Sequence, residues 1–93
     1  MAFYSISYDL HKRKNYNKIH EGIDKVSRQV WVKILESHYF IKTDLNSEQI
    51  RDYLAGYLDE DDSLFVIEVD IRDWASKSVD HKLTEILHHW GKS

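Results

Sequence analysis

The residues best suited to chemistry are basic side chains that follow the first apolar stretch of the chain. Residues 11–28 contain six lysines and arginines against two acids, a local charge of +4, whereas residues 29–93 carry a charge of −6. Three of these bases, Lys12, Arg13 and Lys14, are consecutive and follow Asp9 closely. A basic segment on an acidic body can steer a polyanion to one face, or pair two copies of the chain. Solvated helix faces are the alternative interpretation of the same charges.

Histidines are a second candidate for chemistry, because six of them occur in 93 residues. Glu85 and His88 have the i, i+3 spacing found in carboxylate metal sites on helices. Only one such pair occurs, and no His-Glu-x-x-His motif accompanies it. Surface histidines that pair with neighbouring acids, as His20 and Asp24 could do, are the simpler interpretation.

Several other chemistries are excluded by composition. The chain has no cysteine, which excludes disulfides, thiolate catalysis and cysteine-based zinc sites. Its three glycines are isolated, so there is no glycine-rich phosphate loop and no Gly-x-Ser-x-Gly elbow. The first residues lack a signal peptide, and no apolar run approaches the roughly 20 residues of a membrane span. We therefore expect a cytoplasmic protein with no membrane partner.

The elements that must position these residues follow from hydrophobic periodicity. Residues 3–10 alternate with period 2 and predict a strand that ends near Asp9. Apolar residues at helical spacing predict a helix over 16–26, with Asn15 as a possible cap and Gly22 inside it, where only close packing would favour glycine. Residues 29–43 are rich in β-branched and aromatic side chains, and the polar break at 36–38 divides them into two strands.

The second half of the chain repeats this alternation of helix and strand. Asn46 and Gln49 have capping-box spacing and open a helix whose apolar stripe runs from Ile50 to Leu58. Residues 63–69 form a nearly continuous apolar run, which predicts a central strand. A third helix is predicted over residues 79–90.

This order of elements predicts an α+β fold of the ferredoxin-like βαββαβ type, a four-stranded antiparallel sheet with two helices on one face. We expect one domain over residues 1–93, with its core in about 3–70 and a C-terminal helical segment over about 72–91. The other sheet face would be bare, and Trp31, Phe40 and further aromatic residues on it would need cover. The C-terminal helix or a second subunit could supply that cover, which points to a homodimer.

Several segments resemble a known family. Tyr8-Asp9-Leu10 at the end of the first strand, the basic segment after it, the hairpin over residues 35–44 and the strand over 61–69 resemble the CRISPR-associated endoribonucleases. These are small dimeric subunits of spacer acquisition. Residues 36–45, Ile50-Arg51-Asp52 and residues 65–69 are more similar to stand-alone SinR-like relatives of that fold. The resemblance covers roughly residues 3–70.

The resemblance implies a ferredoxin-like homodimer and, with it, metal-dependent cleavage of phosphodiesters. In the nuclease family the aspartate that closes the first strand meets its symmetry mate at the dimer interface, and the two carboxylates hold a divalent cation. Asp9 occupies that position, so it is the candidate catalytic residue and ligand for Mg²⁺ or Mn²⁺. Lys12, Arg13 and Lys14 are the candidates for binding the nucleic-acid backbone. A strand-end aspartate that caps the following loop is the alternative role of Asp9.

Two functions from different classes are therefore expected. The favoured one is a non-catalytic dimeric interaction module that binds nucleic acid or protein, in a host-defence, anti-defence or toxin–antitoxin setting. The alternative is a metal-dependent endonuclease that cleaves RNA or DNA through the Asp9 pair. One carboxylate per chain is a sparse metal site, and the net charge of −3 is unlike that of most nucleic-acid-binding proteins.

Overall fold

The computed structural model describes residues 1–11 and 16–92, which form four strands and three helices. In chain order the elements are β1 (Ala2–Asp9), α1 (Tyr16–Val26), β2 (Trp31–Leu35), β3 (His38–Thr43), α2 (Ser47–Ala55), β4 (Ser63–Val69) and α3 (His81–Gly91). The strands form one antiparallel sheet in the order β2-β3-β1-β4. The predicted ferredoxin-like α+β fold is confirmed, with α3 following its last strand. In the described part of the chain, no helix has the length and apolar character needed to cross a membrane.

The main core lies between one face of the sheet and the helices α1 and α2. Alternate residues of β1 and β3 point into it, as period-2 strands require, and apolar residues at helical spacing on α1 and α2 meet them. The side chains with least exposure are Ile6, Ile19, Ile23, Tyr39, Ile41, Ile50 and Leu54.

Helix α1 approaches the end of α2 closely at Gly22. A Cβ atom at Gly22 would lie 2.7 Å from Cγ of Tyr57 and 3.1 Å from Cδ2 of Leu54. Real Cβ atoms do not approach other heavy atoms this closely, so only glycine fits without a shift of the neighbours. The predicted reason for a glycine inside this helix is confirmed.

Helix α2 begins with the predicted capping box. The Asn46 side chain accepts the backbone N–H of Gln49, and the Gln49 side chain accepts the backbone N–H of Asn46, both at 2.9 Å. The helix ends at Ala55, so the last part of the predicted stripe, Tyr57 and Leu58, lies in the turn that follows.

Strand β4 lies at an edge of the sheet, and the prediction that it is central is wrong. It pairs with β1 alone among the strands, whereas β1 and β3 occupy the centre. Its continuous apolar run has a different cause from burial between two strands. Leu64 and Val66 pack against the helix-side core, while Phe65 and Ile67 point to the opposite face and are 63% and 47% exposed.

The sheet face opposite α1 and α2, called the outer face from here on, is only partly covered. Helix α3 contacts β2, where Val32 is 1% exposed, and its Trp90 ring also stacks on Phe3 of β1 at 5.6 Å. The prediction that Trp31 shares this face with Phe40 is wrong. Trp31 pairs with Ile41 and therefore faces the helices, whereas Phe40 pairs with Val32 on the outer face.

Candidate functional site

Asp9 is the last residue of β1, and its side chain is exposed. It lies opposite Ser63, the first residue of β4, and borders a shallow depression that also includes Ser7, Ser37 and Phe65. The Asp9 carboxylate makes no hydrogen bond or ion pair with another described residue. An exposed carboxylate without such partners is available to a ligand, and the predicted position of Asp9 at the end of the first strand is confirmed.

The acidic loop before β4 lies next to the end of β1. The carboxylate of Asp62 accepts the backbone N–H of His11 at 2.9 Å through one oxygen and that of Asp59 at 2.8 Å through the other. These two N–H groups favour the ionised form and lower the pKa of Asp62. Asp62 therefore links the loop before β4 to the end of β1, and each of its carboxylate oxygens already accepts a backbone hydrogen bond.

Among the residues that the structure describes, no ready-made metal site accompanies Asp9. Within residues 1–11 and 16–92, no three histidine or acidic side chains group together in a way that could hold an ion. Mg²⁺ is commonly bound through one or two carboxylates, with waters and substrate phosphate completing its shell. One Asp9 supplies a single carboxylate, so a divalent ion would need a second copy of the chain or a phosphate to complete its site.

The predicted phosphate-binding residues Lys12, Arg13 and Lys14 lie outside the described residues, as does the possible cap Asn15. His11 donates its backbone N–H to Asp62, so the loop over residues 59–62, which are all acidic, lies next to the end of β1. This acidic loop opposes the attraction of a polyanion to the end of β1.

The residues that could have formed a histidine metal site make other contacts. Glu85 pairs with His81 at 2.9 Å, and the His88 ring instead packs on Trp74 with 4.6 Å between ring centroids. His20 and Asp24 do not pair with each other. His20 hydrogen-bonds the Tyr39 hydroxyl at 2.5 Å, and Asp24 accepts the Trp31 indole N–H at 2.6 Å.

The middle of the outer face carries a polar pair that the sequence did not reveal. Ser5 on β1 and His38 on β3 share a hydrogen bond of 2.6 Å between Oγ and Nε2, whose donor is set by the tautomer of the imidazole. Burial lowers the pKa of His38, because the neutral ring is easier to desolvate than the charged one. The two residues are far apart in sequence and adjoin only through the pairing of β1 with β3.

Beside this pair, the part of the outer face where β1 meets β4 carries two large apolar side chains that are exposed to solvent. Ser5 and Ser7 of β1 lie opposite Ile67 and Phe65 of β4, so two small residues form a floor beside two large exposed ones. The outward positions of β1 were visible from its period-2 pattern. The identity of their neighbours was not, because it depends on which strand lies alongside.

Comparison with known proteins adds no assignment to this geometry. No family model matches the chain, and a search of curated proteins found no match.

Proposed function

We propose that this protein is a non-catalytic interaction module on the CRISPR-associated endoribonuclease-like fold, similar to the stand-alone SinR-like proteins, and that it acts as a homodimer. One observation carries the proposal: Phe65 and Ile67 are exposed side by side on an edge strand, on a part of the outer face that is open to solvent. Adjacent large apolar side chains in water mark interaction surfaces.

In this proposal a second copy of the chain covers the surface, because a projecting side chain and a low floor lie next to each other on it. A two-fold axis brings the same patch together from both subunits, so a projecting side chain needs a recess on the same patch. Phe65 projects beside the low floor formed by Ser5 and Ser7. Phe65 of each subunit would cover the serines of the other, and the free edges of both β4 strands would be protected.

The dimer would present its other surfaces to a partner, which is nucleic acid or protein. The local charge of +4 in residues 11–28 supports a polyanion such as nucleic acid as the partner. The acidic loop at 59–62 supports a protein partner with a basic surface. Host defence, its inhibition and toxin–antitoxin pairing are the settings in which such a small stand-alone module would act.

The dimer is tested by sedimentation equilibrium of Ile67→Asp against Ile86→Asp. Both residues are exposed isoleucines, at 47% and 40%, but Ile86 lies on α3 rather than on β4. We expect the wild type and Ile86→Asp to sediment with the mass of two chains, and Ile67→Asp with the mass of one. A wild type that sediments as a single chain at all concentrations would refute the dimer.

Metal-dependent nuclease activity is the second candidate, favoured by the position of Asp9. Its exposed carboxylate borders the same depression as Phe65, beside the proposed dimer surface. Asp9 of each subunit would hold Mg²⁺ or Mn²⁺, which polarises a phosphate and lowers the pKa of a bound water. No cofactor other than these ions is expected.

The two candidates are separated by cleavage assays on labelled RNA and DNA with Mg²⁺, Mn²⁺ or a chelator. A non-catalytic module gives no metal-dependent product. A nuclease gives product that Asp9→Asn abolishes, whereas the control Asp61→Asn, an exposed acid in the loop before β4, leaves it unchanged. Metal-dependent cleavage that requires Asp9 would overturn the non-catalytic proposal.

A further inference from the structure

A cavity lies between the outer face and the chain that follows β4. Its volume is about 480 Å³, within the range of small-molecule sites in proteins, and it is partly open to solvent. The floor is formed by β2 and β3, and the wall by the end of β4, the irregular segment over residues 70–79 and α3. The side chains that define it are Phe40, Trp74, Val79, Leu87, His38 and Lys77.

Most of this lining is apolar and held in place. Leu87 is only 3% exposed, and the Trp74 ring packs against the ring of His88. Ser78 has a φ of 60°, a left-handed conformation that serine rarely adopts, and it turns the chain between Lys77 and Val79. Water in such an apolar cleft is readily displaced, so an apolar molecule of fitting size gains free energy on entry.

The charges at the cavity select the kind of molecule. Asp70 is held by Arg72, with contacts of 2.6 and 2.9 Å to its two oxygens, so these charges offset each other. His38 uses Nε2 in its bond to Ser5. Lys77 is exposed and has no ion pair with another described residue, which leaves one uncompensated positive charge on the lining.

We propose that this cavity binds a small organic anion with an apolar body, of the class of medium-chain or aromatic monocarboxylates. The body lies between Phe40, Trp74 and Leu87, and the carboxylate meets the ammonium group of Lys77. This site is separate from Asp9 and from the Phe65–Ile67 surface, and it does not rest on either proposed function.

The probes are decanoate and decanol, which share a chain length and differ in charge. In ¹H–¹⁵N spectra the indole N–H of Trp74 reports on the cavity, whereas that of Trp31 is bonded to Asp24 on the helix side of the sheet. Decanoate is expected to shift the Trp74 resonance in a saturable manner and to leave the Trp31 resonance in place.

Two variants test the site from different directions. Ala75→Trp places a large side chain in the cavity from an exposed position in the irregular segment, and should abolish binding of both probes. Lys77→Gln should weaken decanoate about two- to five-fold, as expected for an exposed ion pair, and leave decanol unchanged. Lys82→Gln on α3, outside the cavity lining, is the matched control and should bind both probes like the wild type.

Three outcomes would overturn the proposal. These are the absence of a saturable Trp74 shift, a shift that persists in Ala75→Trp with an unchanged circular dichroism spectrum, and equal weakening by Lys77→Gln and Lys82→Gln. A Trp74 resonance that responds to protein concentration but not to decanoate would assign the cavity to a second copy of the chain instead.

Discussion

Gly22 is the position where side-chain size is most tightly constrained. Alanine is the better helix former by about 1 kcal/mol, but its methyl carbon would lie 2.7 Å from Cγ of the Tyr57 ring. We therefore predict that Gly22→Ala lowers the free energy of unfolding by about 1–3 kcal/mol, the usual cost of overpacking. Urea denaturation followed by circular dichroism measures this difference.

Gly56→Ala is the control for that experiment. A Cβ at Gly56 has only an ordinary contact, 3.6 Å from the Tyr53 carbonyl oxygen, and its φ of −68° suits any residue. The free energy of unfolding of the Gly56→Ala variant should stay within about 0.5 kcal/mol of the wild-type value. Equal effects of the two substitutions would mean that α1 and α2 are not in close contact at Gly22.

His38 makes the stability of the outer face depend on pH. Because burial lowers its pKa in the folded state, the unfolded chain binds more protons as the pH falls below the ordinary value of 6.5. The contribution of the neutral His38 ring to the free energy of unfolding is therefore complete above pH 6.5. It decreases as the pH falls below 6.5, and the decrease ends once the pH is below the lowered pKa of the folded state.

We predict that His38→Gln, which retains hydrogen-bonding capacity towards Ser5 but cannot be protonated, loses less stability between pH 7.5 and pH 5.5 than the wild type does. Urea denaturation at the two pH values measures the difference. The control His89→Gln, at an exposed position of α3, should retain the wild-type response. A wild-type response in His38→Gln would contradict the role of this imidazole.

At the scale of elements, α2 depends on a local signal at its first turn. The reciprocal bonds between Asn46 and Gln49 satisfy two N–H groups that the helix itself leaves without partners. We predict that Asn46→Ala lowers the free energy of unfolding by about 1 kcal/mol, measured by urea denaturation. Ser47→Ala, one residue further along and without a capping bond, should have an effect within about 0.5 kcal/mol.

Strand β4 shows why an apolar run does not reveal a strand's place in a sheet. Central burial and an edge strand with a second apolar face both produce consecutive hydrophobic residues. In β4 the residues alternate between the helix-side core and the exposed side of the outer face. Its exposed half, Phe65 and Ile67, is the surface on which the proposed dimer rests.

At the scale of the whole molecule, the proposed homodimer links folding to association. Dissociation and unfolding of a dimer are coupled, so its Tm rises with protein concentration. We predict such a rise for the wild type in calorimetry over a hundred-fold range of concentration, and its loss in Ile67→Asp. A Tm of the wild type that does not change with concentration would show that the folded unit is a single chain.

Prediction of the site from sequence was less complete than prediction of the fold. The alternating pattern of β1 predicted that the strand ends at Asp9, and the run of acidic residues predicted the loop before β4. The sequence did not predict the hydrogen bond between Ser5 and His38, because these residues are 33 positions apart and meet only through strand pairing. The Asp62 bonds to His11 and Asp59 likewise depend on two loops meeting at one end of the sheet.

The sequence by itself determined the elements of this protein and their order. Periods of 2 and 3.6 residues and a capping box are local signals, which neighbouring residues generate together. Only the tertiary structure decided that Trp31 faces the helices, that β4 lies at an edge and that α3 covers part of the outer face. Each of these depends on register and strand order, which long-range pairing sets and which no local pattern encodes.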